Sequence, residues 1–269
     1  MERRTLERKE GRSLFGGDAA GYDAARPGHP ERVYEVLVER CGLRPGTAVL
    51  EIGPGTGQAT RRLLELGADP LVAVEPDPAL AEFLAGVSAE RPRIVVSPLE
   101  DADLGPGAFD LAAAASSFHW VDERVALAKI AAALRGDGWW AMWWTLFGEP
   151  GVVDAFMQAV DPLFAELPHS PSGGSGSPRR SFALDVDARR AALVEAGFRD
   201  LDHELVTWPY TWDAAGIRGL YSTFSPIRSL DDAGREALLD EVARIAEEDF
   251  GGRVDRTLTT SLFTARKPP

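Results

Sequence analysis

The sequence predicts an α/β fold: a seven-stranded, mostly parallel sheet with helices on both faces, an antiparallel last strand and a helical cap. Three observations predict it. Between residues 30 and 147, short apolar runs alternate with segments of helical spacing, the pattern of parallel strands joined by crossover helices. A glycine-rich loop at 51–57 falls between one such strand and one such helix. Beyond residue 147 the pattern changes to two alternating strands with helices between them, which suits an antiparallel pair carrying a cap.

Residues 1–12 read as a mobile arm. Pro30 to Cys41 is helical, with Val33, Leu37 and Val38 on one face and Glu31, Arg32, Glu35 and Glu39 off it. A turn at 44–46 leads into AVLEIG, a buried strand, then the loop, then a helix over QATRRLLEL capped by Gly67. LVAVEP at 71–76 is the second strand, stopped by Pro76. A helix over 78–90, a strand at 93–97, a strand at 109–118 and a helix over 122–135 follow, and GDG at 136–138 closes that helix. The tryptophan-rich run 139–147 is the fifth strand. Next come a helix over 151–167, a Ser/Gly-rich linker at 170–178 and a helix over 185–197. Arg199–Trp208 and Thr257–Ala265 alternate as strands, with helices over 213–224 and 231–249 between them. The organisation expected is the arm and then one domain over 13–269. Its core spans 13–147, its cap insertions 148–182 and 209–250, and the rest of the core 183–208 and 251–269.

The bulk numbers narrow the function classes. Of 269 residues, 45% are hydrophobic and 26% charged, ordinary for a globular chain. The net charge of −13 and pI near 4.8 argue against nucleic acid and against anionic membranes as partners. The charged N-terminus has no apolar run behind it, so it does not read as a signal peptide, and the apolar stretches are too short to span a bilayer. One cysteine, Cys41, permits no intrachain disulfide and fits a reducing cytosol; it reads as a small buried hydrophobe. Abundant alanine, arginine and glycine suit a high-GC bacterial genome. No cluster has metal-ligand spacing, so no metal is expected.

The chemistry concentrates in Glu51-Ile52-Gly53-Pro54-Gly55-Thr56-Gly57. Glycines at a strand-to-helix junction permit a tight turn and close backbone approach, and the following helix N-terminus favours an anionic group. Glu51 could meet a cation. Glu75 ends the second strand, where an acid accepts hydrogen bonds from both hydroxyls of a ribose.

These residues resemble the class I S-adenosylmethionine-dependent methyltransferases, whose pattern is E/D-x-G-x-G-x-G followed by an acid ending the second strand. Three further stretches resemble the small-molecule group that includes the trans-aconitate and ubiquinone-biosynthesis methyltransferases: Tyr22-Asp23-Ala24-Ala25-Arg26-Pro27, Ser97-Pro98-Leu99-Glu100-Asp101 and Ser117-Phe118-His119-Trp120-Val121-Asp122. The resemblance is strong over about 14–145 and loose beyond. It implies a Rossmann-like domain that binds S-adenosylmethionine. Gly53, Gly55 and Gly57 would wrap the methionine part, with Glu51 near its ammonium and Tyr22 and Arg26 at its carboxylate. Glu75 would hold the ribose, Leu99 would meet adenine through its backbone, and Glu100 would lie near the amino group. Pro54, Pro76, Ser116, Ser117 and Trp120 complete the implied cofactor set. Pro98 departs from the family, which often has a hydrogen-bonding side chain there. Arg26 could instead cap the next helix, and Leu99 could merely pack.

Methyl transfer relies on in-line positioning, and a base is needed only when the acceptor is neither an anion nor a free amine. His119, after the fourth strand, is either that base or a packing and cofactor-contact residue. His29, His169 and His203 read as surface residues. The acceptor pocket is expected from the segments 13–28, 147–182 and 210–228, with Phe15, Phe118, His119, Trp144, Tyr221, Phe224 and Arg228 as its candidate residues, and the 210–228 aromatics are equally suited to a cap core. The linker at 170–178 is either a lid hinge or a surface loop. The function expected is O-methylation of a carboxylate or hydroxyl of a small molecule by a monomer or homodimer. Use of the cofactor without methyl transfer is the alternative. An NAD oxidoreductase is weaker, because Gln58 breaks the G-x-G-x-x-G spacing.

Overall fold

The computed structural model describes Thr5, Glu7 and residues 16–88, 92–152, 154–170, 172 and 181–269. Most of the expected arm, Phe15 and most of the 170–178 linker lie outside the described residues. Thr5 forms an isolated parallel bridge with His169.

Seven strands form one sheet in the order β3-β2-β1-β4-β5-β7-β6. They are β1 (Thr47–Ile52), β2 (Ala68–Glu75), β3 (Arg93–Val96), β4 (Phe109–Ala115), β5 (Leu134–Leu146), β6 (Arg199–Asp213) and β7 (Arg253–Arg266). The first five pair in parallel, and β7 runs antiparallel to both β5 and β6. Every residue of β1 is buried, because helices cover both faces; Ala48-Val49-Leu50 and Ile52 are therefore apolar without alternation, and Thr47 and Glu51 are the polar residues buried with them.

On one face, Val49 of β1 packs with α2 (Glu31–Glu39), α3 (Gln58–Glu65) and α4 (Pro78–Val87) through Val33, Leu37, Leu63 and Leu84. On the other, Leu50 and Ile52 pack with α5 (Glu123–Ala133) and α7 (Val186–Glu195) through Leu127, Ile130 and Leu193. The β5 tryptophans divide between the layers, Trp140 and Trp144 on the second face and Trp143 on the first.

A third core, the cap, joins α6 (Ala155–Val160), α8 (Ala214–Ser222), α9 (Ser225–Arg228) and α10 (Asp232–Phe250). It stands on an overshoot of the sheet. The β5–β7 pairing ends at Leu146↔Thr259, whereas β6 and β7 continue together to Asp213↔Arg253. An ion pair of Arg256 with Asp154 (2.6 Å), together with a hydrogen bond from Arg256 to the Phe147 carbonyl, fixes this overshoot to the start of α6.

Several elements differ from expectation. Residues 19–25 form a helix, α1, whose N-cap Asp18 accepts from the Gly21 N–H at 2.9 Å. GDG at 136–138 does not end a helix. Phe109 pairs Leu134 while Leu111 pairs Trp139, so the segment between is a bulge inside β5, with Asp137 at φ 65. The helix expected over 151–167 is α6 alone, followed by a 3-10 turn at Asp161–Phe164; Pro162 lacks the N–H that would continue the α pattern. The helix expected over 78–90 ends at Val87. Val38 points away from the core and is 42% exposed. Among the described residues no helix is long and apolar enough to cross a membrane.

Candidate functional site

Strand order reverses between β1 and β4, and ligands of such sheets bind at the carboxyl edge beside that reversal. The backbone there is tightly tied. Gly53 follows β1 at φ 62, and a Cβ on it would fall 2.6 Å from Cβ of Ser117, so only glycine lets the loop pass the end of β4. The Ser117 hydroxyl donates to the Ile52 carbonyl at 2.5 Å. Ser116 adopts φ 53, a region that side chains disfavour, and its N–H donates to the Trp143 carbonyl at 2.7 Å. Glu75 is buried at the end of β2. One oxygen accepts from the Gly55 N–H and the other from the Asp77 N–H, each at 3.0 Å. Its carboxylate is thus aimed before any ligand arrives.

A cavity of about 490 Å³ opens over this edge. Of the residues expected to meet a cofactor, Tyr22, Arg26, Gly53, Pro54, Gly55, Glu75, Pro76, Leu99, Ser116, Ser117 and Trp120 line it. Of those expected to meet an acceptor, His119, Trp144 and Phe224 do.

The other described ones do not, each for a physical reason. Glu51 shares the Val49 face of β1 and lies beneath the loop at 1% exposure, with neither oxygen in a hydrogen bond of good geometry. Burial, with Glu75 adding to it, pushes its carboxyl up to about 7 against the opposing Thr60 hydroxyl and Arg61. Gly57, at φ 87, caps α3 instead of lining the cavity. Glu100 sits outside, its carbonyl accepting from Lys129 at 2.8 Å. Phe118 is buried against Trp140, with centroids 5.0 Å apart. Tyr221 belongs to the cap core, against Phe156 and Phe164. Arg228 turns back to the Ser222 carbonyl at 3.0 Å.

Phe147, Met157 and Phe182 on the cavity wall fall within the expected 147–182 segment without having been singled out, and sequence reasoning missed Gln58 and His29, which also line it. Gln58 alone had a local signal, its place just after the loop; its amide donates to the carbonyls of Arg26 (2.9 Å) and Asp23 (3.3 Å). Arg61 adds an ion pair to Asp23 at 3.0 Å, so α3 holds α1 over the cavity. His29 is no surface residue: its ring packs edge-on against Trp143, and burial followed by the charge of Arg26 lowers its pKa to about 4. His203 is likewise half-buried, stacked on Phe263 and 2.9 Å from the Ser261 hydroxyl. Cys41 is buried, its thiol pushed up to about 12, which makes it unreactive.

Two side-chain groups define what the cavity can do. The Arg26 guanidinium lies over Tyr22 (5.0 Å), Phe147 (5.1 Å) and Phe224 (5.6 Å), and its Nε donates to the Thr223 hydroxyl at 2.8 Å. It does not cap α2, whose N-cap is Pro30, and it has no carboxylate partner among the described residues. A cation so placed fits an anionic end group. The second is His119, whose Nδ1 accepts from the Trp144 indole N–H at 3.1 Å. Its ring lies against Trp120 and Phe182, and Phe182 is backed at 3.6 Å by Arg189, which pairs with Glu123. The glycine turn, the aimed carboxylate and the unmatched guanidinium fit the amino-acid and ribose parts of S-adenosylmethionine. Among the described residues no group of three His, Cys, Asp or Glu could hold a metal ion.

Comparison with known proteins agrees with that fit. A methyltransferase-domain family matches residues 50–142. A malonyl-[acyl-carrier protein] O-methyltransferase of Geobacter sulfurreducens is 30% identical over 206 residues, 73% of each chain. An uncharacterized methyltransferase of Schizosaccharomyces pombe is 25% identical over 267 residues, 95% of this chain and 97% of that one. Among solved structures, a Haemonchus contortus phosphoethanolamine N-methyltransferase bound to S-adenosylhomocysteine superposes with a TM-score of 0.59 at 14% identity, covering 98% of this chain and 61% of that one.

Proposed function

The chain belongs to the class I S-adenosylmethionine-dependent methyltransferases, and on that premise we propose that it O-methylates a carboxylate or hydroxyl of a small molecule. The observation that carries the proposal is one continuous cavity, with an aimed carboxylate and glycine turn at one end and an aromatic wall at the other. Family membership sets aside the oxidoreductase alternative.

When bound, S-adenosylmethionine supplies an electrophilic methyl group on sulfonium. The protein's own task is to hold and orient. Gly53 and Gly55 turn the backbone beneath the amino-acid part, and Tyr22 and Arg26 take its carboxylate. Glu75 accepts from the ribose hydroxyls, with Pro76 beside it. Leu99 packs at adenine, and Ser116, Ser117 and Trp120 close the side next to β4. Glu51 acts from beneath the loop, as support, and not as a ligand. Trp144, Phe147, Phe182 and Phe224 bind an apolar acceptor body and keep water from the reacting atoms. A cavity of this size, with a net charge of −13, suits a small metabolite and not a nucleic acid. Incubation of the protein with methyl-labelled cofactor and a metabolite extract tests the reading. Label transferred to a small molecule supports it; label transferred only to macromolecules, or cofactor binding with no transfer at all, refutes it.

A further inference from the structure

Helix α1 brings Tyr22 to the cavity wall, and its C-cap brings Arg26. The sequence denies the end of this helix one of its usual donors. A carbonyl inside a helix receives the N–H four residues on, and four residues after Asp23 stands Pro27, which has no N–H. Arg26 leaves the helix at ψ 127, so its carbonyl has no place in the helical ladder either. Another element supplies the donor for both. Gln58, the first residue of α3, donates its amide to the Arg26 carbonyl at 2.9 Å and to the Asp23 carbonyl at 3.3 Å. One turn further along α3, Arg61 reaches the same helix. Its Nη2 meets both oxygens of the Asp23 carboxylate, at 3.0 and 3.3 Å, and its Nη1 donates to the Thr56 carbonyl of the glycine loop at 3.0 Å. Arg61 therefore grips the loop with one nitrogen and α1 with the other.

We propose that Gln58 and Arg61 are positioning residues for the cofactor: they latch α1 to the glycine loop, and the latch sets how long bound cofactor stays. This rests on the cofactor reading above, in which the loop turns beneath the amino-acid part while Tyr22 and Arg26 take its carboxylate. Loop and α1 are separate segments of the chain. A ligand held by both gains most when their separation is fixed beforehand, because nothing is then left to order at binding. The two fastenings differ in weight. Gln58 serves main-chain carbonyls that the helix itself does not serve. The Arg61–Asp23 pair is 34% and 24% exposed, so water and salt weaken it. Gln58 is therefore the principal fastening. A further attachment holds α1 to the cap: Arg26 Nε on the Thr223 hydroxyl at 2.8 Å, and Ala25 so near Gly219 that a Cβ there would fall 3.3 Å from its own. Cutting the latch thus loosens α1 without unfolding the chain. The loop still meets arriving cofactor, and bound cofactor leaves sooner.

The test uses the full chain. Without cofactor, amide hydrogen exchange over residues 19–26 is expected to quicken about fivefold or more in Gln58→Met, which keeps the bulk and loses the donor, and about two- to threefold in Arg61→Ala. Unchanged exchange overturns the latch, and a Gln58 that only touched cofactor directly would leave it unchanged. With S-adenosylmethionine in stopped flow, followed by tryptophan fluorescence, Gln58→Met is expected to raise the dissociation rate about tenfold and to leave the association rate within about twofold. A loss confined to association overturns the residence-time role. Gln58→Glu, which sets a carboxylate against two carbonyls, is expected to release cofactor faster than Gln58→Met; release at the parent rate overturns the donor role. Asp23→Ala is expected to add little in the Arg61→Ala background, and full additivity overturns the pairing. Failure of the folded parent to bind S-adenosylmethionine in calorimetry removes the cofactor reading instead, and the exchange rates still decide whether the latch exists.

Discussion

The two ends of the cavity are built in different ways. Most of the cofactor end comes from short stretches at strand termini: 52–56 at the end of β1, 75–76 at the end of β2, and 116–117 with 119–120 after β4. The backbone itself does much of the work there, through Gly53, the Gly55 and Asp77 N–H groups on Glu75, and the turn at Ser116. The acceptor end has no backbone motif. Phe147, Phe182 and Phe224 come from the end of β5, the start of α7's approach and the α8–α9 junction. They meet because the β6–β7 overshoot carries the cap over the sheet edge. One fold can therefore hold one cofactor rigidly and still vary its acceptor by changing cap side chains.

This contrast can be broken or sharpened by substitution, beginning with the largest effect. Gly53→Ala, which combines a disfavoured φ with a 2.6 Å approach to Ser117, is expected to weaken S-adenosylmethionine binding by more than about a hundredfold in calorimetry. Circular dichroism checks that the variant remains folded.

Glu51→Gln tests support from beneath the loop. The folded carboxyl is raised to about 7 from an ordinary value of 4.5, so the folded state binds more protons than the unfolded one between those values. Stability then falls as pH rises through that window. The Gln variant is expected to be the more stable above pH 7, by roughly 3 kcal/mol, and to match the parent below about pH 4. Denaturant titration at several pH values measures it, and a constant difference across pH contradicts the assignment.

Glu75→Ala is expected to weaken cofactor binding about ten- to hundredfold through lost hydrogen bonds to the ribose. Phe182→Ala is expected to leave cofactor affinity unchanged and to lower transfer to the acceptor by about tenfold, since the lost ring borders only the aromatic end. A cofactor affinity that falls with Phe182→Ala would show the two ends to be coupled. The smallest effect is expected at Ser116→Gly. Relief of the φ 53 backbone offsets the added chain entropy, leaving the melting free energy within about 1 kcal/mol of the parent.

The same contrast explains what the sequence made legible. Strands β1, β2 and β4 could be read because burial on both faces writes a mostly apolar run. Glu75 and the glycines could be read because their roles follow from position along the chain. The Arg26 cage could not, because Phe147 and Phe224 reach it only through tertiary packing. Glu51 shows how a motif can point to the right place and the wrong contact: strand alternation turns its side chain beneath the loop, away from the cavity. Tyr221 and Phe118 are aromatic residues near the site that fill cores, and composition does not separate those from lining residues. His119 was found by its motif, but the bond from Trp144 on β5 reaches it only through tertiary packing.

The most direct test of the two-ended cavity is a crystal structure with S-adenosylhomocysteine bound. The expected result has both ribose hydroxyls on Glu75, the carboxylate on Arg26, and the sulfur facing His119 and Phe182. A ligand whose ribose lies away from Glu75, or whose sulfur faces away from the aromatic wall, contradicts the account.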